Sequence, residues 1–328
     1  MLNNSINPTV VIHCMTYNHE CYIKQCLDGF VMQKTNFPFV VLVVDDASTD
    51  NEQEVLWEFI NNELDPQTKQ QDETDDYIKV IATHKTNHNC TFVIFFLKYN
   101  HYSIKKNKRP YIKTWDDNAK YIASCEGDDY WIDPLKLQKQ VDFMESHPDY
   151  SLICSNYLEE KNGVLQKGRF HLLEGDCLKE YLSAQGIVPT ATTLFLVDDY
   201  FEARKNISSD KFLMGDVPLW IQLMHKGKVK VLEDVTTVYR ILDESASHSK
   251  NKSKKLRFNK SALEARAYFS KLYGYDEIYN YLKKRIIKID CELALNEKRY
   301  FDYIKLKPWK SNIGLRKTLS IIKRSYKS

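Results

Sequence analysis

Three carboxylates lie within four residues at the end of a short apolar run. The run is Tyr121 to Cys125, and the carboxylates are Glu126, Asp128 and Asp129. The run predicts a buried strand, and like charges crowded at its end are costly unless a cation or hydrogen-bond donors offset their repulsion. A hard divalent cation shared with phosphate oxygens explains such a cluster most economically. The alternative is an acidic turn that caps the helix predicted to begin at Asp133-Pro134.

Polar residues also follow the first two predicted strands, 9–15 and 39–44. They are Thr16, Tyr17 and Asn18 after the first strand, and Asp45 and Asp46 after the second. In open α/β sheets, ligands bind in the crevice outside the carboxyl ends of the strands. Three polar strand exits therefore predict one ligand-binding crevice. The alternative for Asp45-Asp46 is the first turn of the next helix, where acidic residues are favoured.

The elements that would position these residues alternate between strand and helix. Apolar residues at helical spacing follow the first strand at 20–32 and the second at 56–60, and a third strand is predicted at 77–82. This order predicts a parallel α/β sheet with right-handed crossovers. No G-x-G-x-x-G follows the first strand, which disfavours a dinucleotide-binding Rossmann domain. The absence of G-x-x-x-x-G-K-[ST] excludes a P-loop NTPase.

The later chain continues with a helix at 134–147 and strands at 150–155 and 227–232. Between them, Asp216 and Pro218 precede an apolar helix, a pattern that suits an N-cap. The span 98–120 is basic and aromatic, and a solvated loop and helix is favoured there over a phosphate contact.

Bulk properties narrow the class of protein. The chain has 328 residues, of which 43% are hydrophobic and 28% charged, as expected of a globular protein with a sizeable core. A net charge of +3 argues against nucleic-acid binding by the chain as a whole. No apolar run reaches transmembrane length and no secretory signal is apparent. Eight cysteines without C-x-x-C spacing disfavour zinc or a disulfide framework and predict a reducing cytoplasm.

From about residue 256 the pattern becomes helical and increasingly basic, with no acidic residue after Asp302. Such a tail suits peripheral contact with an anionic membrane surface at the inner face of the cell membrane. It equally suits a helix packed on the rest of the protein with a solvated basic face.

Four sequence blocks resemble, in their order, the family 2 glycosyltransferases of the GT-A type found in bacterial polysaccharide assembly. The blocks are Met15 to Asn18, Val44 to Asp50, Glu126 to Trp131 and Gly215 to Trp220, with Val238-Tyr239-Arg240 beyond them. The resemblance covers about residues 8–249. It implies a GT-A fold, which is a Rossmann-like α/β fold with a mainly parallel central sheet flanked by helices, here with a C-terminal helical extension.

The domain organisation that follows is a glycosyltransferase domain at 1–250 and a basic helical extension at 251–328. The nucleotide-binding half of the first domain is expected at 1–133 and the acceptor half at 134–250.

The resemblance also implies an activity of the hexosyltransferase class. A sugar would pass, with inversion, from a nucleotide-diphosphate donor to a hydroxyl of a saccharide or lipid-linked saccharide, with Mn²⁺ or Mg²⁺ as cofactor. In this family the aspartate after the second strand accepts a hydrogen bond from the base, which implies this role for Asp45, with Asp46 beside it. A carboxylate suits the N3–H of uracil, so the expected donor is a UDP-sugar. Tyr17 would lie against the base and Thr16 would add a hydrogen bond, with Asn18 beside them.

The remaining roles follow from the same resemblance. Asp128 would be the direct metal ligand, with Asp129 and His248 as further metal ligands. Glu126 would reach the ribose or a metal-bound water, and Arg240 would brace the diphosphate unless it forms a structural ion pair. Asp216 would be the general base that takes the proton of the acceptor hydroxyl. Trp131 is expected to pack beneath the acidic turn.

Two rival functions remain. A catalytically inactive GT-A-like protein could serve as a carbohydrate-binding or scaffold subunit, although the presence of Asp128 and Asp216 argues against it. A sugar nucleotidyltransferase needs a glycine- and arginine-rich loop after the first strand, where this chain has Thr16 to His19.

Overall fold

The computed structural model describes residues 7–168, 171–205, 211–242 and 251–306. The chain divides into two compact units. The first comprises residues 1–176, 188–202 and 226–240, and the second comprises residues 177–187, 203–225 and 241–328. The domain boundary expected at residue 250 remains a prediction.

Strands are confined to the first unit within the part of the chain described. They are β1 (Val10–Thr16), β2 (Phe39–Asp45), β3 (Gln70–Glu73), β4 (Tyr77–Thr83), β5 (Cys90–Leu97), β6 (Tyr121–Ser124), β7 (Tyr130–Trp131), β8 (Tyr150–Lys161), β9 (Val164–Lys167), β10 (Leu194–Leu196) and β11 (Lys228–Arg240). The α-helices in chain order are α1 (Ile23–Val31), α2 (Glu52–Glu63), α3 (Arg109–Asp116), α4 (Lys136–Ser146), α5 (Leu178–Leu182), α6 (Val197–Lys205), α7 (Asp216–Lys226), α8 (Lys252–Leu272), α9 (Asp276–Asn296) and α10 (Tyr300–Lys305).

The strands form one sheet in the order β3-β4-β5-β2-β1-β6-β10-β8-β11-β7, with β9 paired to β8. Its centre, β5-β2-β1-β6, is parallel throughout. The register places Thr16 beside Asp45 and His13 beside Ser124. The predicted α/β sheet with a parallel centre is confirmed.

The third predicted strand is the exception to the parallel pattern. β4 is antiparallel to β5, and β5 is the strand that lies beside β2. The connection from Thr83 to Cys90 is short, whereas a parallel crossover needs a dozen residues or more. The expectation that 77–82 continues the parallel series was therefore wrong, and the loop after β5 takes that place.

Both faces of the central strands are covered, which explains their continuous apolar runs. Ile12 and Cys14 point into the larger core with α1 and α2, whereas Val11 points to the opposite face, which α3 covers. Trp131 is 1% exposed and its indole N–H donates to the carbonyl of Ala191 at 2.8 Å. It packs below the acidic turn, as expected.

The helical extension is confirmed for α8, α9 and α10. In the second unit, α8 and α9 pack through Leu263, Ala267, Leu282 and Ile286. The basic tail beyond residue 306 lies outside the described residues, and its membrane contact remains a prediction. No helix in the described ranges is both long and apolar enough to cross a bilayer.

Candidate functional site

The carboxyl ends of β1, β2 and β6 meet at one edge of the sheet. Thr16 and Asp45 are register partners, and Gly127 in the turn after β6 donates its N–H to the carbonyl of Met15 at 3.2 Å. A methyl group on Gly127 would overlap the Thr16 hydroxyl. Glycine thus allows the acidic turn to lie directly against the end of β1, and the three polar strand exits form one cluster.

Asp45 is fully buried at the end of β2. Its Oδ1 accepts the N–H of Ser48 at 3.1 Å, and its Oδ2 accepts a hydrogen bond from the Gln53 amide. Burial raises the pKa of Asp45 to about 6, although these donors oppose the shift. Contact between this carboxylate and a ligand requires the Gln53 side chain to move aside.

Asp46 is turned towards the loop after β5. Its carboxylate accepts the N–H groups of His101 at 2.8 Å and Tyr102 at 3.1 Å, and it pairs with the Lys108 ammonium at 2.7 Å. These contacts tie the loop to the end of β2. Lys106 also pairs with Asp76 at 2.7 Å. Ion pairs therefore hold part of the basic span 98–120 in place.

The carboxylates of the acidic turn have different surroundings. Glu126 is exposed, whereas Asp129 is 3% exposed and its Oδ1 accepts the N–H of Arg240 at 2.8 Å. Burial raises the pKa of Asp129, and the neighbouring Asp128 carboxylate adds to the rise. Asp128 lies between these extremes, and its buried Oδ1 has no hydrogen-bond partner in the structure as described. Asp128 and Asp129 are both predicted metal ligands in this turn, and Asp128 is the one with an oxygen available to a metal ion.

Arg240 holds this turn from below. Its Nη1 donates to the carbonyl of Asp128 at 2.6 Å, and its guanidinium pairs with Glu160 at 3.2 Å and lies 4.3 Å from the ring centre of Tyr130. The side chain is only 6% exposed. Two roles were expected for Arg240, bracing of a diphosphate or a structural ion pair. These contacts match the structural ion pair.

Asn18 joins the loops after β1 and β2. Its φ of 58° lies in the left-handed region, which asparagine tolerates better than most residues. Its N–H donates to Ser48 Oγ at 2.9 Å, and its Oδ1 accepts the N–H of Thr49 at 2.7 Å. Its neighbour Tyr17 is 41% exposed, so its ring is available to a ligand at this edge.

Glu52 is the residue that sequence reasoning missed. It is fully buried at the start of α2 and accepts hydrogen bonds from the Thr16 hydroxyl, from the His19 N–H at 2.7 Å and from the Ser48 hydroxyl at 2.9 Å. One carboxylate thereby fixes the loops after both strands. A Glu at the start of a helix is ordinarily explained by its favourable interaction with the helix dipole. No local sequence pattern therefore indicates that Glu52 joins two loops.

His19 was missed as well. Its Nδ1 lies 3.1 Å from Thr16 Oγ1, and its Nε2 lies 4.0 Å from Asp128 Oδ2. The imidazole therefore connects the end of β1 to the acidic turn.

Asp216 lies in the second unit as the first residue of α7. Its Oδ1 accepts the N–H of Val217 at 2.8 Å, and burial of the carboxyl raises its pKa despite the nearby cations of Arg266 and Arg204. A carboxylate with a raised pKa accepts a proton more readily near neutral pH. His248 lies outside the described residues.

The side chains of this cluster can supply only part of a metal coordination shell. No group of three or more His, Cys, Asp or Glu side chains within the described ranges is arranged to hold a metal ion. The unpartnered Asp128 oxygen nevertheless fits a divalent ion of the kind that takes one or two carboxylates and completes its shell with substrate phosphates and water.

Comparison with known families identifies part of the chain. Residues 11–85, which contain β1, β2 and the loops after them, match the family described as glycosyl transferase family 2. The chain carries a family 2 glycosyltransferase segment. The resemblance to this family is confirmed, and the matched residues contain the first two of the four blocks.

Curated relatives match part of the chain. The uncharacterized proteins Rv1520 of Mycobacterium tuberculosis and Mb1547 of Mycobacterium bovis are each 33% identical to this chain over 140 residues. The match covers 43% of this chain and 32% of each relative, so it spans about a third of their length.

Solved structures show the fold. S. aureus TarS superposes with a TM-score of 0.55 at 14% identity, covering 94% of this chain and 50% of TarS. TarS 1-349 in complex with UDP gives a TM-score of 0.47 at 13% identity over 94% of this chain and 76% of its own. The mannosyltransferase PcManGT from Pyrobaculum calidifontis, in complex with GDP-Man and Mn²⁺, gives 0.49 at 12% identity, with coverages of 98% and 80%. The likeness to TarS shows the fold, and the expected GT-A fold is confirmed.

Proposed function

We propose that the protein is a metal-dependent inverting glycosyltransferase. It transfers a sugar from a nucleotide-diphosphate donor, a UDP-sugar, to a hydroxyl of a saccharide or lipid-linked saccharide. The observation that carries this proposal is the cluster at the ends of β1, β2 and β6. The ends of β1 and β2 lie in the segment that matches family 2, and Asp128, in the turn after β6, keeps a buried oxygen without a partner.

The loops after β1 and β2 are assigned to the nucleotide. Tyr17 offers an exposed ring for the face of the base. Asp45 accepts the N3–H of uracil once Gln53 leaves its Oδ2. Asp46 acts through the loop after β5, to which its carboxylate is bound.

The acidic turn is assigned to the diphosphate. Asp128 would hold Mn²⁺ or Mg²⁺, and the bound ion would offset the negative charge that grows on the diphosphate as the nucleotide leaves. Exposed Glu126 suits a ribose hydroxyl or a metal-bound water. Asp129 and Arg240 position this turn through the hydrogen bond between them.

Asp216 is assigned as the general base. Removal of the acceptor proton makes the hydroxyl a competent nucleophile, and a positioned carboxylate contributes about 10²–10⁴-fold to such a step. The oxygen attacks the anomeric carbon on the face opposite the leaving diphosphate, and the configuration inverts. The raised pKa of Asp216 supports this assignment, because it strengthens the carboxylate as a base.

Nucleotide release from a panel of nucleotide sugars, with and without Mn²⁺, tests the proposal. We expect Mn²⁺-dependent release of UDP from at least one UDP-sugar in the presence of saccharide acceptors. In Asp216→Asn, kcat should fall about 10²–10⁴-fold while the affinity for UDP stays unchanged. Exposed Asp234→Asn in β11 serves as the control. Nucleotide binding without turnover in any combination would instead favour the inactive carbohydrate-binding protein.

A further inference from the structure

The hydrogen-bond donors around Glu52 determine how the Thr16 hydroxyl is oriented. Glu52 Oε2 accepts from the His19 N–H at 2.7 Å and from the Ser48 hydroxyl at 2.9 Å. The Ser48 hydroxyl donates its one hydrogen to Glu52, while its oxygen accepts the N–H of Asn18 at 2.9 Å. Glu52 thus acts as a pure acceptor, as an ionised carboxylate does. The single hydroxyl hydrogen of Thr16 therefore goes to Glu52 Oε1.

The orientation of Thr16 in turn determines the tautomer of His19. Thr16 Oγ1 has given its hydrogen to Glu52, so at the 3.1 Å contact with His19 it must accept a hydrogen from Nδ1. A neutral imidazole with its hydrogen on Nδ1 carries a lone pair on Nε2. The buried Glu52 carboxylate thus fixes, through one hydroxyl, which ring nitrogen of His19 is a potential ligand.

The lone pair of Nε2 faces a second acceptor. His19 Nε2 lies 4.0 Å from Asp128 Oδ2, and Asp128 Oδ1 is buried without a partner. In the neutral form of His19, neither Nε2 nor the Asp128 carboxylate has a hydrogen to donate to the other, whereas both can bind a cation. Ligands about 2.1 Å from an octahedral ion lie about 3.0 Å apart when adjacent and about 4.2 Å apart when opposite. The observed 4.0 Å is close to the separation of opposite ligands, so one ion between the two atoms can contact both.

We propose that His19 Nε2 is a ligand, together with Asp128, of the divalent cation that holds the donor diphosphate, an inference that rests on the proposed function. Thr16 and Glu52 are positioning residues, because they present the ring and fix its tautomer. Diphosphate oxygens and water complete the coordination shell. Nitrogen ligation also favours Mn²⁺ over Mg²⁺, because imidazole suits transition metals and Mg²⁺ prefers oxygen.

Electron spin echo spectroscopy of Mn²⁺ bound to the full chain with UDP tests the ligand directly. We expect a nitrogen coupling to Mn²⁺ whose frequency changes when the protein alone is labelled with ¹⁵N, which separates a protein ligand from the uracil nitrogens. Wild-type protein that binds Mn²⁺ and UDP without this coupling overturns the His19 assignment and leaves the proposed function standing. Wild-type protein that takes up neither overturns both.

His19→Asn provides the variant test. The asparagine amide can still donate to Thr16 from near the position of Nδ1, but the variant lacks Nε2. We expect the nitrogen coupling to disappear and the Kd for Mn²⁺, measured with UDP present, to rise about tenfold or more. His147→Gln, which removes an exposed imidazole at the end of α4, should change neither readout. An unchanged Kd and coupling in His19→Asn contradict the proposal.

Discussion

At the scale of single residues, three aspartates differ in what surrounds their carboxylates. Asp45 is fully buried between Ser48 and Gln53, Asp128 keeps one oxygen without a partner, and Asp216 begins a helix. Burial raises the pKa of both Asp45 and Asp216. These different surroundings suit the three tasks proposed for the aspartates: recognition of a base, binding of a cation and uptake of a proton.

The pH dependence of UDP affinity tests the role of Asp45. Burial raises its pKa to about 6, so the carboxylate form, which is proposed to accept the N3–H of uracil, is lost as the pH falls through 6. Between pH 7 and pH 5 the ionised fraction falls about tenfold, and UDP affinity should fall in proportion. Asp45→Asn should bind UDP more weakly at pH 7 and lack this step.

Calorimetric titration at pH 7 and pH 5 measures the effect. The ratio of wild-type to Asp45→Asn affinity is the decisive quantity, because titration of the nucleotide phosphate cancels from it. We expect the ratio to shrink towards pH 5. A ratio that does not change with pH would show that Asp45 only stabilises the loop after β2.

At the residue level, the sequence indicated where a side chain lies when that side chain follows a strand, but not when its contacts depend on a distant partner. Thr16, Asp45 and Asp128 lie together because parallel register brings their strand ends to one edge. Glu52 and His19 were missed because their contacts join segments that no periodicity relates. Asp129, predicted as a metal ligand, accepts the N–H of Arg240 from more than 100 residues away.

At the scale of elements, α1 approaches the acidic turn more closely than a side chain would permit. A methyl group on Gly29 would lie 2.9 Å from both the N and the O of Trp131 in β7. The backbone of α1 is also joined to the segment after β7, because the Gln33 amide donates to the carbonyls of Gly29 at 3.2 Å and Asp133 at 2.9 Å. A glycine at this position therefore permits the contact between helix and strand.

Gly29→Ala reverses the usual effect of this substitution. Alanine in a helix normally stabilises by about 1 kcal/mol relative to glycine, but here the added methyl group meets backbone atoms that cannot turn away. We expect a net destabilisation of about 1–3 kcal/mol, the range typical of overpacking, measured as a lower midpoint of thermal unfolding.

Gly163→Ala is the matched control for that variant. Gly163 has a φ of 76°, and no atom lies within 4 Å of an added methyl group. Alanine there would cost stability only through its left-handed backbone conformation, by about 1–2 kcal/mol. Its effect should stay local to the hairpin, whereas Gly29→Ala should also weaken UDP binding. A stabilised Gly29→Ala protein would contradict the packing described for α1 and β7.

Element types were largely predictable from apolar spacing, but pairing directions were not. α1, α4 and the central strands follow their sequence patterns closely. The antiparallel pairing of β4 with β5 depends on a short connection that had been read as part of a parallel series. The length of β8 and β11 also exceeds the predicted runs, because their polar second halves are held as strands by pairing with each other.

At the scale of the whole molecule, burial of the Lys136 side chain lowers the stability of the fold. Lys136 is fully buried, with its Nζ donating to Gln140 at 2.8 Å and lying 4.1 Å from the ring centre of Trp131. Burial lowers the pKa of Lys136 to about 7. The unfolded chain, with the ordinary lysine pKa, therefore binds one more proton than the folded protein between about pH 7 and pH 10.5.

This difference predicts how stability changes with pH. Folding is favoured as the pH rises wherever the unfolded state holds more protons, so the cost of Lys136 is greatest at pH 7 and below and diminishes by pH 9. We expect the midpoint of thermal unfolding of Lys136→Met, relative to wild type, to fall by a few degrees between pH 7 and pH 9. Exposed Lys34→Met should show no such trend, and a constant gap for Lys136→Met would show that the amine stays protonated in the fold.

The central claim is that a cation-bound nucleotide occupies the cluster at the ends of β1, β2 and β6. Calorimetric titration of UDP into the full chain, with and without Mn²⁺, tests it most directly when wild type is compared with Asp128→Asn. We predict UDP binding that depends on Mn²⁺ in wild type and is lost or weakened at least about tenfold in the variant. No uptake of UDP by wild type with Mn²⁺ present, or equal binding by both proteins, would contradict this account.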